Sequence, residues 1–250
     1  LIVILFFFCN SIQAQGLYGL IRSSGSDDKI LSYGFFLATH TNKYQIKYSN
    51  EYLNPASPTT SNVAGIYSKY APGFSLGFAG MLRFHDQFHV IFFPKFGFYE
   101  YRTDVFLFDN TLLPVKAGRV SPSAIITSNG NTGTEILNEA LIIELPLLFK
   151  YKSERFNNTR MYFIGGGSYQ LRTKSQEEAN LDNIVTSGRD FSIEMGMGFE
   201  FYFTYFKWAP EIRFSHGLKN LYRPDNTLPE IRDAISSIRN KSITIYLNFQ

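Results

Sequence analysis

Between Phe191 and Phe203 the chain alternates without a break. Phe191, Ile193, Met195, Met197, Phe199, Phe201 and Phe203 take one face, and Ser192, Glu194, Gly196, Gly198, Glu200 and Tyr202 take the other. A period of two held this long is the side-chain repeat of an extended strand; on a helix the same residues would scatter round the axis. The pattern recurs where Ile243, Ile245, Leu247 and Phe249 alternate with Ser242, Thr244, Tyr246 and Asn248. Six further segments follow it, roughly Tyr33–Tyr48, Pro72–Phe84, Gln87–Arg102, Ile136–Lys152, Arg160–Arg172 and Phe206–Leu218. Pro94, Pro146 and Pro210 each fall inside one of these segments. Proline has no N–H for the ladder, which predicts bulges or local bends at all three.

The connections carry the second constraint. His85-Asp86, Ser153 to Thr159 and Thr204-Tyr205 are short, with Asn157-Asn158 as turn formers. Ser49–Ala71, Thr103–Glu135, Thr173–Arg189 and Lys219–Asn240 are long and polar. Short and long alternate along the chain, the plan of a transmembrane antiparallel up-and-down β-barrel of about eight strands. In that plan short periplasmic turns lie at one end and long external loops at the other, and an even strand number puts both termini in the periplasm. In the last loop, Thr227-Leu228-Pro229-Glu230 reads as a capping box. Ile231, Ala234, Ile235 and Ile238 follow at helical spacing and predict a short amphipathic helix that lids the barrel mouth or contacts a partner.

Alternation alone does not say which face is outside, since a lipocalin-type or sandwich protein turns its apolar face inward. Composition helps here. Aromatic residues make up 17% of the chain, with 25 Phe and 16 Tyr, and that many rings need a surface that tolerates them exposed, such as a bilayer interface. Tyr48, Tyr99, Tyr101, Tyr151, Tyr202, Tyr205 and Trp208 near strand ends are read as an aromatic girdle. The opposite face then lines a lumen. Lys95, Glu144, Lys150, Lys152, Arg160, Arg172, Glu194, Glu200, Glu211 and Arg213 fall on it. An eight-stranded barrel has an interior just wide enough for side chains, so these charges are expected to pair and plug it.

Residues Leu1 to Cys9 are wholly apolar, too short to span a membrane and suited to a signal-peptide core. The expected division is a signal peptide over 1–14, its start truncated, and an outer-membrane barrel over 15–250. Cys9 is the single cysteine and falls in that leader, so disulfides, Cys-based zinc sites and a Cys nucleophile are not expected.

Little else suggests chemistry. The formal charge is +3 with no isolated Lys/Arg cluster, which gives weak support for nucleic acid. His85 and His89 are four apart across a turn and a strand start, about 13 Å along a strand and too far for one metal ion. Gly165-Gly166-Gly167-Ser168 lies within a strand, outside the strand–turn–helix setting of a phosphate loop or nucleophile elbow, and reads as room for bulky neighbours. A lipid-modifying site would draw on His40 and His216, with no third group in register. No enzyme, cofactor, metal or small-molecule substrate is expected; the expected partner is outer-membrane lipid.

The run Ile143-Glu144-Leu145-Pro146-Leu147-Leu148-Phe149-Lys150-Tyr151-Lys152 resembles a strand shared by outer-membrane barrels of Bacteroidetes. Two narrower stretches resemble the PorT family: Arg155-Phe156-Asn157-Asn158-Thr159-Arg160 with Tyr162 and Gly165-Gly166, and Pro210-Glu211-Ile212-Arg213-Phe214-Ser215-His216-Gly217-Leu218-Lys219-Asn220-Leu221. Met161, where the family has proline, and His216 depart from the pattern. The likeness covers the C-terminal half well and the N-terminal half loosely. It implies a component of the type IX secretion system, needed for export of cargo with a C-terminal sorting domain and, in gliding species, of adhesins. Other secretion proteins are its implied partners and the outer membrane of a Gram-negative bacterium its location. The narrow, charged lumen points to an accessory or assembly role rather than a conduit. The alternatives are a small barrel serving as adhesin or envelope anchor, and a lipid-modifying enzyme.

Overall fold

The computed structural model describes residues 30–54, 57, 60–109, 111–113, 123–126, 132–173, 184–203 and 206–250. The leader assigned to 1–14 and Tyr205 with its turn lie outside them. The strands are β1 (Leu31–Tyr48), β2 (Val63–Lys69), β3 (Ala71–Arg83), β4 (Phe88–Phe92), β5 (Lys95–Leu107), β6 (Ser123–Ile126), β7 (Thr132–Lys152), β8 (Thr159–Arg172), β9 (Arg189–Tyr202), β10 (Lys207–Gly217) and β11 (Ile235–Phe249). All pairings are antiparallel, and β1 pairs with β3 on one side and β11 on the other, so the sheet closes on itself. β4 and β5 share one position, because both lie between β3 and β7. β2 and β6 pair only with the far ends of β5 and β7. The ring therefore has eight strand positions, as the alternation predicts.

The apolar faces point outward. Phe35, Phe74, Phe78, Phe96, Phe98, Phe149, Phe191, Met195 and Phe214 are all exposed, and they lie on neighbouring strands round the ring. The interleaved residues point inward and are buried. Exposed phenylalanine on this scale would be costly in water and is what a wall against hydrocarbon requires.

The turns keep the strands in sequence order. Arg83 pairs with Asp86 across the first, and Phe88 N–H donates to the His85 carbonyl at 3.2 Å. In the second, Asn157 holds a left-handed φ of 53°, a conformation that asparagine tolerates. Only one of the three strand prolines interrupts its strand. Pro94 separates β4 from β5, its carbonyl accepting from Phe78 N–H at 3.1 Å. Bulges at Pro146 and Pro210 do not form. Pro146 stays in register opposite Ser168, and its carbonyl accepts from Phe93 N–H at 3.1 Å. β10 keeps one register with β9 on both sides of Pro210, and Asn248 Nδ2 donates to the Ala209 carbonyl at 2.9 Å. A missing donor is tolerated where the flanking groups find other partners.

The long-loop end differs from expectation. β5, β7 and β11 run further than the alternation indicates, and β2 and β6 extend the sheet beyond the ring. The predicted helix shrinks to one turn, α1 (Pro229–Arg232), with Leu228 at its N-cap and no side-chain cap. Thr227 Oγ1 donates instead to the Arg223 carbonyl at 2.9 Å. Ile235 and Ile238 belong to β11, opposite Tyr48 and Ile46 of β1. A helix this short is marginal alone, and continuing the ladder along β1 gives the same residues burial and regular hydrogen bonds.

Candidate functional site

The inward face contains two groups of ion pairs. In the first, Lys95 Nζ lies 2.7 Å from Glu144 and donates to the Tyr246 hydroxyl at 2.8 Å. Arg213 Nη1 is 2.9 Å from Glu194, its Nε is 2.7 Å from Glu211, and Tyr162 donates to Glu211 at 2.8 Å. The guanidinium also lies 4.1 Å from the ring centre of Tyr246 and 4.9 Å from that of Phe93. In the second group, nearer the short turns, Glu200 accepts from Lys150 at 2.5 Å, Lys152 at 3.0 Å and Tyr202 at 2.8 Å. Lys150 also sits 3.5 Å from the ring centre of Tyr162.

Each charged side chain in these groups is at most 3% exposed. Carboxylates and ammonium groups so far from water persist only when paired and hydrogen-bonded, and the four glutamates are matched by Lys95, Lys150, Lys152 and Arg213. Local sequence supplies the fit. Glycines stand opposite the bulkiest inward groups: a Cβ on Gly198 would collide with the Tyr162 hydroxyl, and one on Gly73 with the His40 ring. Arg160 and Arg172 occupy the same inward face and are half-buried. Arg172 donates to Thr186 at 2.9 Å and to the Tyr44 hydroxyl at 3.3 Å, which ties the upper lumen to the loop before β9.

Apolar layers lie on both sides of the first group. Phe36, Met81, Ile91, Phe93, Leu148 and Ile164 pack with Tyr246 on the short-turn side. Towards the long loops, Tyr44, Tyr101, Ile142, Ile184, Tyr222, Leu228 and Ile231 join one buried cluster. The loop after β10 is thus seated in the ring's upper end, with Tyr222 donating to the Arg232 carbonyl at 2.6 Å. Burial pushes the Tyr222 phenol up to about 12. The described interior is occupied by ion pairs and apolar side chains along much of its length, and no group of three His, Cys, Asp or Glu among the described residues is placed to hold a metal.

The residues read as a girdle divide. Tyr151 is exposed on the outer wall, and Trp208 stacks on Phe201 with ring centres 5.6 Å apart at the same end. Tyr99, Tyr101 and Tyr202 do not belong to it. They face the lumen, where Tyr99 donates to Glu144, Tyr101 accepts from Asn240 at 2.9 Å and Tyr202 serves Glu200. Tyr48 lies under the loops, its ring stacked on Tyr52 and its hydroxyl donating to the Ile66 carbonyl at 2.8 Å. Parity along the strand, not nearness to a strand end, sets which way a side chain points. The lumen tyrosines were therefore legible as hydroxyl donors, because they alternate in step with the glutamates and lysines. The loop cluster had a fainter signal, the apolar Ile184, Val185, Leu221 and Tyr222 within polar connections.

The histidines are not brought together. His40 faces inward, stacked on Tyr99 with ring centres 4.1 Å apart and bonded to Asn42 at 2.9 Å. His216 lies on the opposite parity of β10, where its neighbours Ser215 and Gly217 have the inward phase. His89 points into the ring, while His85 sits on the exposed turn.

Among solved structures, the chain is similar to neisserial surface protein A, with 9% identity and a TM-score of 0.40 over 87% of this chain and 97% of that one. It is similar to the outer membrane protein OprG from Pseudomonas aeruginosa, with 10% identity and a TM-score of 0.40 over 86% and 93%. It is also similar to Ail, the attachment invasion locus protein of Yersinia pestis, with 10% identity and a TM-score of 0.35 over 87% and 96%. No curated protein matches the chain. The outer membrane protein beta-barrel domain matches residues 13–223. With a closed antiparallel ring, a phenylalanine-rich outer wall and that match over most of its length, this chain belongs to the outer membrane protein beta-barrel domain family and is a barrel of the Gram-negative outer membrane.

Proposed function

We propose that the protein is an accessory or assembly component of the type IX secretion system, working as a sealed barrel rather than as the conduit for cargo. The observation that carries the sealed reading is the occupied lumen: Arg213 with Glu194 and Glu211, and Glu200 with Lys150 and Lys152, all nearly without exposure. A folded or extended cargo chain would have to displace these buried pairs, each held by several hydrogen bonds. The secretion role itself is supported by the resemblance of Arg155–Arg160 and Pro210–Leu221 to the PorT family. In this reading the short turns and both termini face the periplasm, the long loops face outward, and the contacts with other secretion proteins are made by exposed surfaces.

Deleting the gene tests the role. Loss of secreted proteins carrying the C-terminal sorting domain, restored by the intact gene, is the expected outcome. Unchanged secretion ends this reading. A second reading, as adhesin or envelope anchor, draws on the ordered extension of β2, β5, β6 and β7 beyond the ring. Intact secretion with lost surface attachment would favour it.

A further inference from the structure

The outer wall carries charge in only one sign over most of its circumference. On the outward faces of β1, β3, β8, β9, β10 and β11 there is no Asp or Glu. Where the apolar band ends towards the long loops, four outward positions on β1 and β11 turn basic together: Lys43, Lys47, Arg239 and Lys241. Lys43 stands directly opposite Lys241 in the ladder, and His216 of β10 opposite Lys241 on its other side. Directly opposed like charges destabilise a sheet unless something between them carries the other sign. The ammonium of Lys43 sits 5.1 Å from the ring centre of Tyr70, and no ion pair is formed by Lys43, Arg239 or Lys241 among the described residues. The rim on β5 and β7 is different. There Lys69 pairs with Asp104, and Arg102 with Glu100 and Glu135, so the basic groups have carboxylate partners within the protein and the unpaired outward charge among the described residues, Glu139 opposite Glu100, is acidic.

Height along the wall indicates what can reach the basic group. From Tyr33 to Lys43 is ten residues of β1. That is about 34 Å along a strand, or roughly 25 Å along the barrel axis at the usual tilt of about 40°. Tyr33, Phe35 and Leu37 face hydrocarbon below; the basic residues therefore stand at the headgroup layer of the leaflet next to the long loops. We infer that Lys43, Arg239 and Lys241 form a binding surface for the phosphate groups of lipid headgroups in that leaflet, with Lys47 and His216 at its margin. Phosphate supplies the missing negative charge between opposed cations, and the lipid's chains lie along Leu37, Ile243 and Ile245 immediately beside it. The inference rests on the barrel wall facing lipid, not on a role in secretion.

The full chain, folded in zwitterionic detergent micelles, is titrated with bis-phosphorylated lipid A, with the same lipid stripped of both phosphates, and with inorganic phosphate. The unfolding midpoint follows binding, because a ligand held only by the folded state raises it. The phosphorylated lipid is expected to raise the midpoint, and the other two to leave it unmoved at equal concentration. Lys43→Gln/Arg239→Gln/Lys241→Gln should weaken the apparent affinity at least ten-fold, whereas Arg102→Gln on the same rim should leave it unchanged. Raising salt from about 0.05 M to about 0.5 M should abolish the wild-type preference, a reading that stands even if the triple variant does not fold. Equal stabilisation by the dephosphorylated lipid, the full effect from inorganic phosphate alone, an unaffected triple variant or indifference to salt each overturns the inference. Failure of the chain to refold with strand content by circular dichroism would instead remove the barrel reading beneath it.

Discussion

Arg213 of β10 donates to Glu194 of β9 at 2.9 Å inside the ring, and both side chains are 1% exposed. The same guanidinium serves Glu211 on its own strand, so one cation is hydrogen-bonded to two buried carboxylates. Arg213→Met removes the hydrogen-bonded cation from both in a closed space. It should lower stability by about 3–5 kcal/mol, read as a shift of the urea midpoint in micelles. A cost under about 1 kcal/mol would mean that water reaches the pair freely and the lumen is not sealed.

A filled ring should not conduct. The folded wild-type chain is expected to give no steady current step in a planar bilayer. An eight-stranded barrel can hold side chains or an open path, not both. A stable ohmic channel from homogeneous protein would contradict the packing of Phe36, Phe93, Leu148 and Tyr246 across the bore.

Close fit also makes glycine irreplaceable at one point. A Cβ at Gly198 would meet the Tyr162 hydroxyl and the Pro210 carbonyl. Gly198→Ala should therefore cost about 1–3 kcal/mol, because both the ring and the strand must shift. Gly80, whose nearest neighbour to an added Cβ is the Phe92 carbonyl at 3.9 Å, is the control and should accept alanine with little loss of packing.

Depth in the membrane should show in the outer wall. Met195 is 61% exposed in the middle of β9. Met195→Arg should destabilise by about 2–4 kcal/mol in a bilayer, and Thr159→Arg at the end of β8 by no more than about 1 kcal/mol. Refolding into vesicles across a denaturant series measures both. Equal costs at the two sites would place the hydrocarbon elsewhere.

The loop seated in the ring's upper end should come loose on its own. Ile231, in the loop's single helical turn, is fully buried against the ring's upper apolar cluster. Ile231→Ala should release residues 219–234 to limited proteolysis by about 2–5 kcal/mol of lost local packing while the ring's melting stays within a few degrees. Simultaneous loss of both would make the loop part of the ring's folding unit.

At Tyr99 and Tyr202 two local signals conflict. Parity with Lys95 and Glu200 puts them in the lumen, while a place near the strand end suggests the interface; parity prevails because the backbone pleat leaves no choice of face. Ile235 and Ile238 illustrate the limit. Their spacing suits a helix equally well, and only the presence of β1 alongside, with Tyr48 and Ile46 opposite, draws them into a strand.

Sequence by itself determined the eight segments that form the ring, which side of each is apolar and which are joined as hairpins, because a two-residue period and a short turn are local properties. Tertiary structure decided the rest. Closure brings β1 against β11, and only the stagger of the closed ring sets Lys95 of β5 against Tyr246 of β11 across the bore, or Lys43 beside Lys241. No local pattern encodes those meetings, since they depend on how far each strand is displaced along its neighbour before the circle is complete.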